Sequence, residues 1–141
     1  MVSDDRRLIE VNLPLVEISD RSARDKYPRK GHISGIHIWW ARRPLPACRA
    51  VVAAILLTAP EDENQRSEVE ASISKILAWE KVADGNSPEI KEMRTRIRDE
   101  FDGERPKVLD PFAGGGAIPL EAQRLDCESY ADELNPVAHL I

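Results

Sequence analysis

Cysteine, histidine and aromatic residues are all scarce in this chain. Its two cysteines, Cys48 and Cys127, are far apart and form no Cys-x-x-Cys pair. That argues against a structural zinc site and leaves reduced thiols, as in a cytoplasmic protein. His32 and His37 have no third ligand candidate close in sequence, so no metal is expected. The longest apolar run, Ala47 to Ala59, is broken by Arg49 and is too short to cross a bilayer. No membrane partner is therefore expected. The opening Asp4-Asp5-Arg6-Arg7 has the form of neither a signal nor a transit peptide. There is no internal repeat and no low-complexity tract.

What is present suits a globular domain: 42% apolar and 32% charged residues over 141 positions, enough to build a core. The net charge of −5 taken alone disfavours nucleic acid, but the charge is unevenly spread. Arg21, Arg24, Lys26, Arg29, Lys30, Arg42, Arg43 and Arg49 are opposed by little more than Asp25, whereas acid gathers after Pro60. One face can still meet phosphates.

Pattern divides the chain into three stretches. Residues 1–60 read as a helical region carrying a basic Trp/Arg block. A helix over Pro14 to Lys26 is expected to share a face through Leu15, Ile18 and Ala23. Arg29 to Ile38, with Gly31 and Gly35, reads as a loop. A second helix, from Pro44 to about Thr58, is apolar apart from a wet N-terminal end. Residues 61–105 read as a helical hairpin after a charged linker, Glu61 to Gln65. Val69, Ile73, Ile76, Leu77 and Trp79 recur at helical spacing on one arm, and Ile90, Met93, Ile97 and Phe101 on the other. Ser87-Pro88 is an N-cap and first-turn pair for the second arm. Residues 106–141 begin with a strand at Lys107 to Leu109. A glycine-rich turn, a helix over Ala117 to Leu125, a strand over Glu128 to Asp132 and a helix opened by Asn135-Pro136 follow. The fold class is α/β, with an incomplete sheet.

The turn is Asp110-Pro111-Phe112-Ala113-Gly114-Gly115-Gly116. A strand meeting a helix N-terminus through glycines brings backbone N–H groups close to a ligand. Gly114 and Gly116 suit backbone angles closed to other residues. A phosphate-binding loop would end Gly-Lys-Ser/Thr, and this one ends Gly-Ala-Ile; a dinucleotide fingerprint needs a last glycine where Pro119 stands. About twenty residues on, the next strand ends in Asp132-Glu133, where a carboxylate can accept from both ribose hydroxyls. Glu133 is the first choice and Asp132 the second. Together these features point to S-adenosylmethionine, and an ordinary glycine-rich turn remains the alternative.

The second unusual stretch runs from Gly31 to Leu45. His37, Trp39, Trp40, Arg42 and Arg43 combine stacking faces with phosphate-pairing forks. They face either nucleic acid or the cofactor pocket. Alternatively one tryptophan is core and the arginines solvate a helix start. Adjacent residues on a regular element cannot face the same way, so at least one indole is expected to be buried.

Asp110 to Gly116 followed by Glu133-Leu134-Asn135-Pro136 resembles the first two cofactor motifs of Rossmann-like amino-group DNA methyltransferases. Trp39-Trp40-Ala41-Arg42-Arg43-Pro44-Leu45 ahead of that loop is similar to a family of adenine-specific DNA methylases associated with phage defence. The likeness runs from about Leu8 to the end of the chain. It implies the first strand–helix–strand unit of a Rossmann-like methyltransferase, with Asp110, Pro111, Phe112, Ala113, Gly114, Gly115, Gly116, Glu133 and Asn135 around S-adenosyl-L-methionine. Asp110 would lie near the methionine end and Glu133 would hold the ribose, where the family more often has Asp. DNA is the implied partner, and adenine N6 the implied target.

No Asn/Asp-Pro-Pro-Tyr/Phe tetrapeptide, the loop that holds a flipped base in this class, occurs in the sequence. No catalytic residue is therefore assigned. Two strands are also fewer than such a sheet contains. The chain reads as an N-terminal piece (a fragment, an interrupted gene or half of a split enzyme), inactive without a C-terminal partner. A non-catalytic nucleic-acid-binding or assembly module, or part of an RNA methyltransferase, is the alternative.

Overall fold

The computed structural model describes residues 6–25, 39, 41–83 and 85–140. The expected loop at Arg29 to Ile38 lies outside them. Among the described residues, seven helices and two strands follow in order: α1 (Leu15–Arg24), α2 (Leu45–Leu56), α3 (Glu63–Lys75), α4 (Trp79–Val82), α5 (Pro88–Asp99), β1 (Lys107–Asp110), α6 (Ala117–Arg124), β2 (Glu128–Ala131) and α7 (Pro136–His139), with a 3-10 turn at Leu8–Glu10. The chain is mostly helical, with a small parallel two-stranded sheet.

Helix α2 is the centre of the packing. Its Ala50, Val52, Ala53, Ala54 and Leu56 are buried, and small residues on one face let α6 approach closely. The same apolar cluster takes in Leu8, Ile73, Ile76, Leu77, Val82, Ile90, Met93, Ile97, Ala122, Leu125 and Cys127. All three stretches read from the sequence thus share one core.

Local signals explain most boundaries. The Ser87 hydroxyl accepts from the Ile90 N–H at 3.3 Å, capping α5 with Pro88 in its first turn. Asp102 and Gly103, at φ +52° and +85°, end the segment after α5. Two readings are corrected. Helix α3 begins inside the supposed linker, because the Asp62 carboxylate accepts from the Gln65 N–H at 2.9 Å and nucleates the first turn there. On α1 only Ile18 is buried. Leu15 is 65% exposed and Ala23 is also exposed, so the three do not share a buried face.

The N-terminus is stitched to the far end of α2. The Leu8 N–H donates to the Leu57 carbonyl at 2.9 Å and the Ala59 N–H to Arg6 O at 2.8 Å. The Arg7 guanidinium donates to Leu56 O at 3.2 Å and lies 5.8 Å from the centre of the Phe101 ring. Helix α2 begins after Pro44, whose side chain offers no acceptor. The buried Asp25 carboxylate, beyond the end of α1, accepts from the Leu45 N–H at 3.3 Å instead.

Strands β1 and β2 pair in register from Lys107 with Glu128 to Asp110 with Ala131, joined by α6. This leaves the C-terminal ends of both strands, the intervening turn and the start of α6 side by side.

Both cysteines are buried. Burial, reinforced by the nearby Glu121 carboxylate, pushes the Cys48 thiol up to about 12; burial followed by Asp126 pushes Cys127 up to about 11. Neither forms a thiolate near neutrality. Neither is therefore expected to react with a thiol-exchange dye in the native protein at pH 8, and both should react on unfolding in urea.

Candidate functional site

The glycine turn after β1 is built by hydrogen bonds from both strands. The Asp110 carboxylate accepts from the Phe112 N–H at 3.0 Å, which turns the chain sharply through Pro111. The Ala113 N–H donates to the Asp132 carbonyl at 3.0 Å, and the Asp132 N–H donates to Asp110 O at 2.9 Å. Gly114 and Gly116 take φ +52° and +72°, the left-handed angles their sequence positions suggested. Gly116 then caps α6.

Glu133 faces this turn. One carboxylate oxygen accepts from the Gly114 N–H at 2.7 Å and the other from the Asn135 N–H at 3.0 Å. The strand-end acid and the glycine turn, 19 residues apart, therefore meet. Hydrogen bonds from the Asn135 and then the Gly114 amides hold the Glu133 carboxyl below its ordinary value of 4.5. Because the folded value is lowered, this contribution to loop order is complete above pH 4.5. It fades only as pH falls through the lower folded value. The amide proton shift of Gly114, followed by NMR, should titrate with a midpoint below 4.5; a midpoint at or above 4.5 would mean that the contact is not maintained in solution.

The other predicted cofactor residues divide. Asn135 acts as the cap of α7, its side chain accepting from the Val137 N–H at 3.0 Å. Phe112 is 78% exposed, so it does not cover the turn from inside the fold. Asp132 joins through its backbone, while its carboxylate accepts from the Glu133 N–H at 2.9 Å.

From the basic aromatic block, Trp39 comes to the turn. A Cβ at Gly115 would lie 3.1 to 3.3 Å from the Cβ, Cγ and Cδ1 atoms of Trp39, and one at Gly114 would lie 3.4 Å from its Nε1. At Gly116, nothing among the described residues lies within 4 Å of the position a Cβ would take. Arg42 is engaged with Asp25, donating to its carbonyl at 3.1 Å and lying 3.4 Å from its carboxylate. Arg43 is exposed. His37 and Trp40 lie outside the described residues.

Arg49 does not belong to a basic face. It is 1% exposed, and its guanidinium grips Glu121 of α6, itself fully buried, by two hydrogen bonds of 2.6 and 3.1 Å. It also donates to Ile76 O at 2.6 Å and Leu77 O at 3.3 Å. Arg124 lies 3.2 Å from the same Glu121 carboxylate, 5.5 Å from the Trp79 ring centre, and donates to Val82 O. Sequence reading counted Arg49 among the basic residues of a face able to meet phosphates. Its only visible signal was a lone cation inside an apolar run.

Residues 12–79 match the family described as a protein of unknown function, DUF1156. No curated protein and no solved structure matches the chain. The matched stretch contributes Trp39 to the turn and Arg49 to the anchoring of α6, whereas Glu121, Glu133 and the glycines lie beyond it. Among the described residues there is no helix long and apolar enough to cross a membrane, and no group of side chains set to hold a metal ion.

Proposed function

We propose that the strand–turn–helix–strand unit binds S-adenosyl-L-methionine as the cofactor portion of a DNA methyltransferase acting on a base exocyclic amino group. The observation that carries this is the Glu133 carboxylate on the Gly114 N–H at 2.7 Å. An acid at the end of β2 can accept from ribose hydroxyls, and a glycine turn at the end of β1 lets the rest of an adenosyl ligand approach the backbone closely. Glu133 remains competent for that task. A carboxylate has about four lone-pair positions, and the contacts to Gly114 and Asn135 use one on each oxygen.

Charge supports the same ligand class. Asp110, Asp132 and Glu133 surround the turn, and their field disfavours a polyphosphate while tolerating a zwitterionic tail and a sulfonium. When bound, the cofactor supplies the methyl group. This chain's own residues bind and orient it. The target, adenine N6 in DNA, rests on the likeness of the Trp39 to Leu45 and Asp110 to Gly116 stretches to the methylase family, and so do the Rossmann-like fold and the link to phage defence.

Calorimetric titration of the chain tests the cofactor. S-adenosylmethionine should bind weakly, with a dissociation constant on the order of 0.1–1 mM, and ATP and NAD should give no heat. Silence with S-adenosylmethionine at millimolar concentration defeats the reading. Methyl transfer to DNA by the chain alone is expected to be absent, and radiolabelled methyl appearing on DNA would show that the catalytic loop is not required.

A further inference from the structure

We propose that Trp39 is a ligand-contacting wall of this site and favours a cationic adenosyl compound over its neutral thioether counterpart. The assignment rests on the S-adenosylmethionine reading above.

The three glycines of the turn do different work. Gly115 is small because of Trp39: any Cβ there would press on three atoms of the indole side chain at 3.1 to 3.3 Å. Gly114 holds the same indole on one side and donates its N–H to Glu133. Among the described residues, nothing comes within 4 Å of the position a Cβ would take at Gly116. Within them the turn is closed by an indole on the Gly115 side and open on the Gly116 side.

Trp39 is half-buried, so part of its side chain stays accessible beside the turn. Its electron-rich ring lies against a turn whose other neighbours include the Asp110 and Glu133 carboxylates. An aromatic ring attracts a positive centre more strongly than a neutral one, and the Asp110 and Glu133 carboxylates bonded to the same turn favour the positive centre as well. S-adenosylmethionine carries such a centre at its sulfonium. S-adenosylhomocysteine lacks only that methyl group and charge, so the pair isolates the effect. A nucleic-acid base stacked on Trp39 is the competing use of the ring.

The experiment uses the full chain with Trp40→Phe and Trp79→Phe, which leaves Trp39 as the sole indole. S-adenosylmethionine should move its emission to shorter wavelength as water leaves the ring, saturating with the calorimetric dissociation constant. Trp39→Ala should weaken S-adenosylmethionine about tenfold and S-adenosylhomocysteine by less than about threefold. Equal losses for the two ligands, no loss for either, or a shift to longer wavelength would overturn the assignment.

If Trp39→Ala fails to fold by circular dichroism, Trp39→Phe decides: retained preference for the cation supports the wall, and a preference abolished with the smaller aromatic ring still present refutes the cation–π account. Short single-stranded DNA that shifts the emission while S-adenosylmethionine does not would assign the ring to a base instead. Should neither adenosyl compound give heat on the parent chain, the cofactor reading itself fails and this assignment falls with it. Heat on the parent with unaltered Trp39 variants sinks the Trp39 assignment alone.

Discussion

Replacing Glu121 with alanine is expected to lower the free energy of unfolding by about 3–5 kcal/mol. The carboxylate is fully buried and receives two hydrogen bonds from Arg49, itself 1% exposed. Its removal strands the Arg49 guanidinium in the core and takes the counter-charge from Arg124. Desolvating an ion is costly whether or not it is paired, so the loss comes from leaving one partner behind rather than from the pair's net worth. The double variant Arg49→Met, Glu121→Met removes both charges and fills similar volume. It should recover only part of the loss, because Arg124 still lacks its counter-charge and the Ile76 and Leu77 carbonyls lose their donor. Urea unfolding of the parent, the single and the double variants checks this; a single-variant loss under about 1 kcal/mol would mean that water reaches the pair.

The second large effect concerns residues 12–79, the stretch that matches the DUF1156 family, by themselves. A chain limited to residues 12–79 is expected to show no cooperative thermal transition. Cutting there removes Leu8, Ile90, Met93, Ile97, Ala122 and Leu125 from a shared core, most of them completely buried in the whole protein. A Leu-to-Ala or Ile-to-Ala change at such sites costs about 2–5 kcal/mol each, against a total stability of about 5–15 kcal/mol. The cut also leaves Arg49 without Glu121. Circular dichroism on heating distinguishes the cases. A sharp transition for residues 12–79 would show that the matched region is an independent domain.

Legibility from sequence followed the range of the interaction. Helix α5 was readable because Ser87-Pro88 states its start, and Ile90, Met93 and Ile97 state its buried face, all within twelve residues. The turn was readable for the same reason: proline and glycines constrain the backbone locally, and Gly114 and Gly116 adopt the expected angles. Charge misled at Glu61 to Gln65, where a polar stretch looked like a linker although Asp62 is a capping residue. Long-range pairs had no local trace. Nothing in the spacing says that Arg49 meets Glu121, 72 positions away, or that Asp25 completes the start of α2. The meeting of Glu133 with the turn was anticipated because strand–helix–strand geometry dictates it. The approach of Trp39 to the turn was only one of two expected placements, since its path there is set by tertiary packing.

The Arg49–Glu121 grip also sets an angle. Helices α2 and α6 also meet through apolar side chains, with Leu45 and Cys48 clustering with Ala117. Contacts of that kind tolerate a range of azimuths of one rod upon the other. A forked guanidinium on a carboxylate accepts a single one. Five residues upstream on the same rod stands Gly116, at the mouth of the turn. Its aim is inherited from an electrostatic key that lies wholly out of reach of solvent.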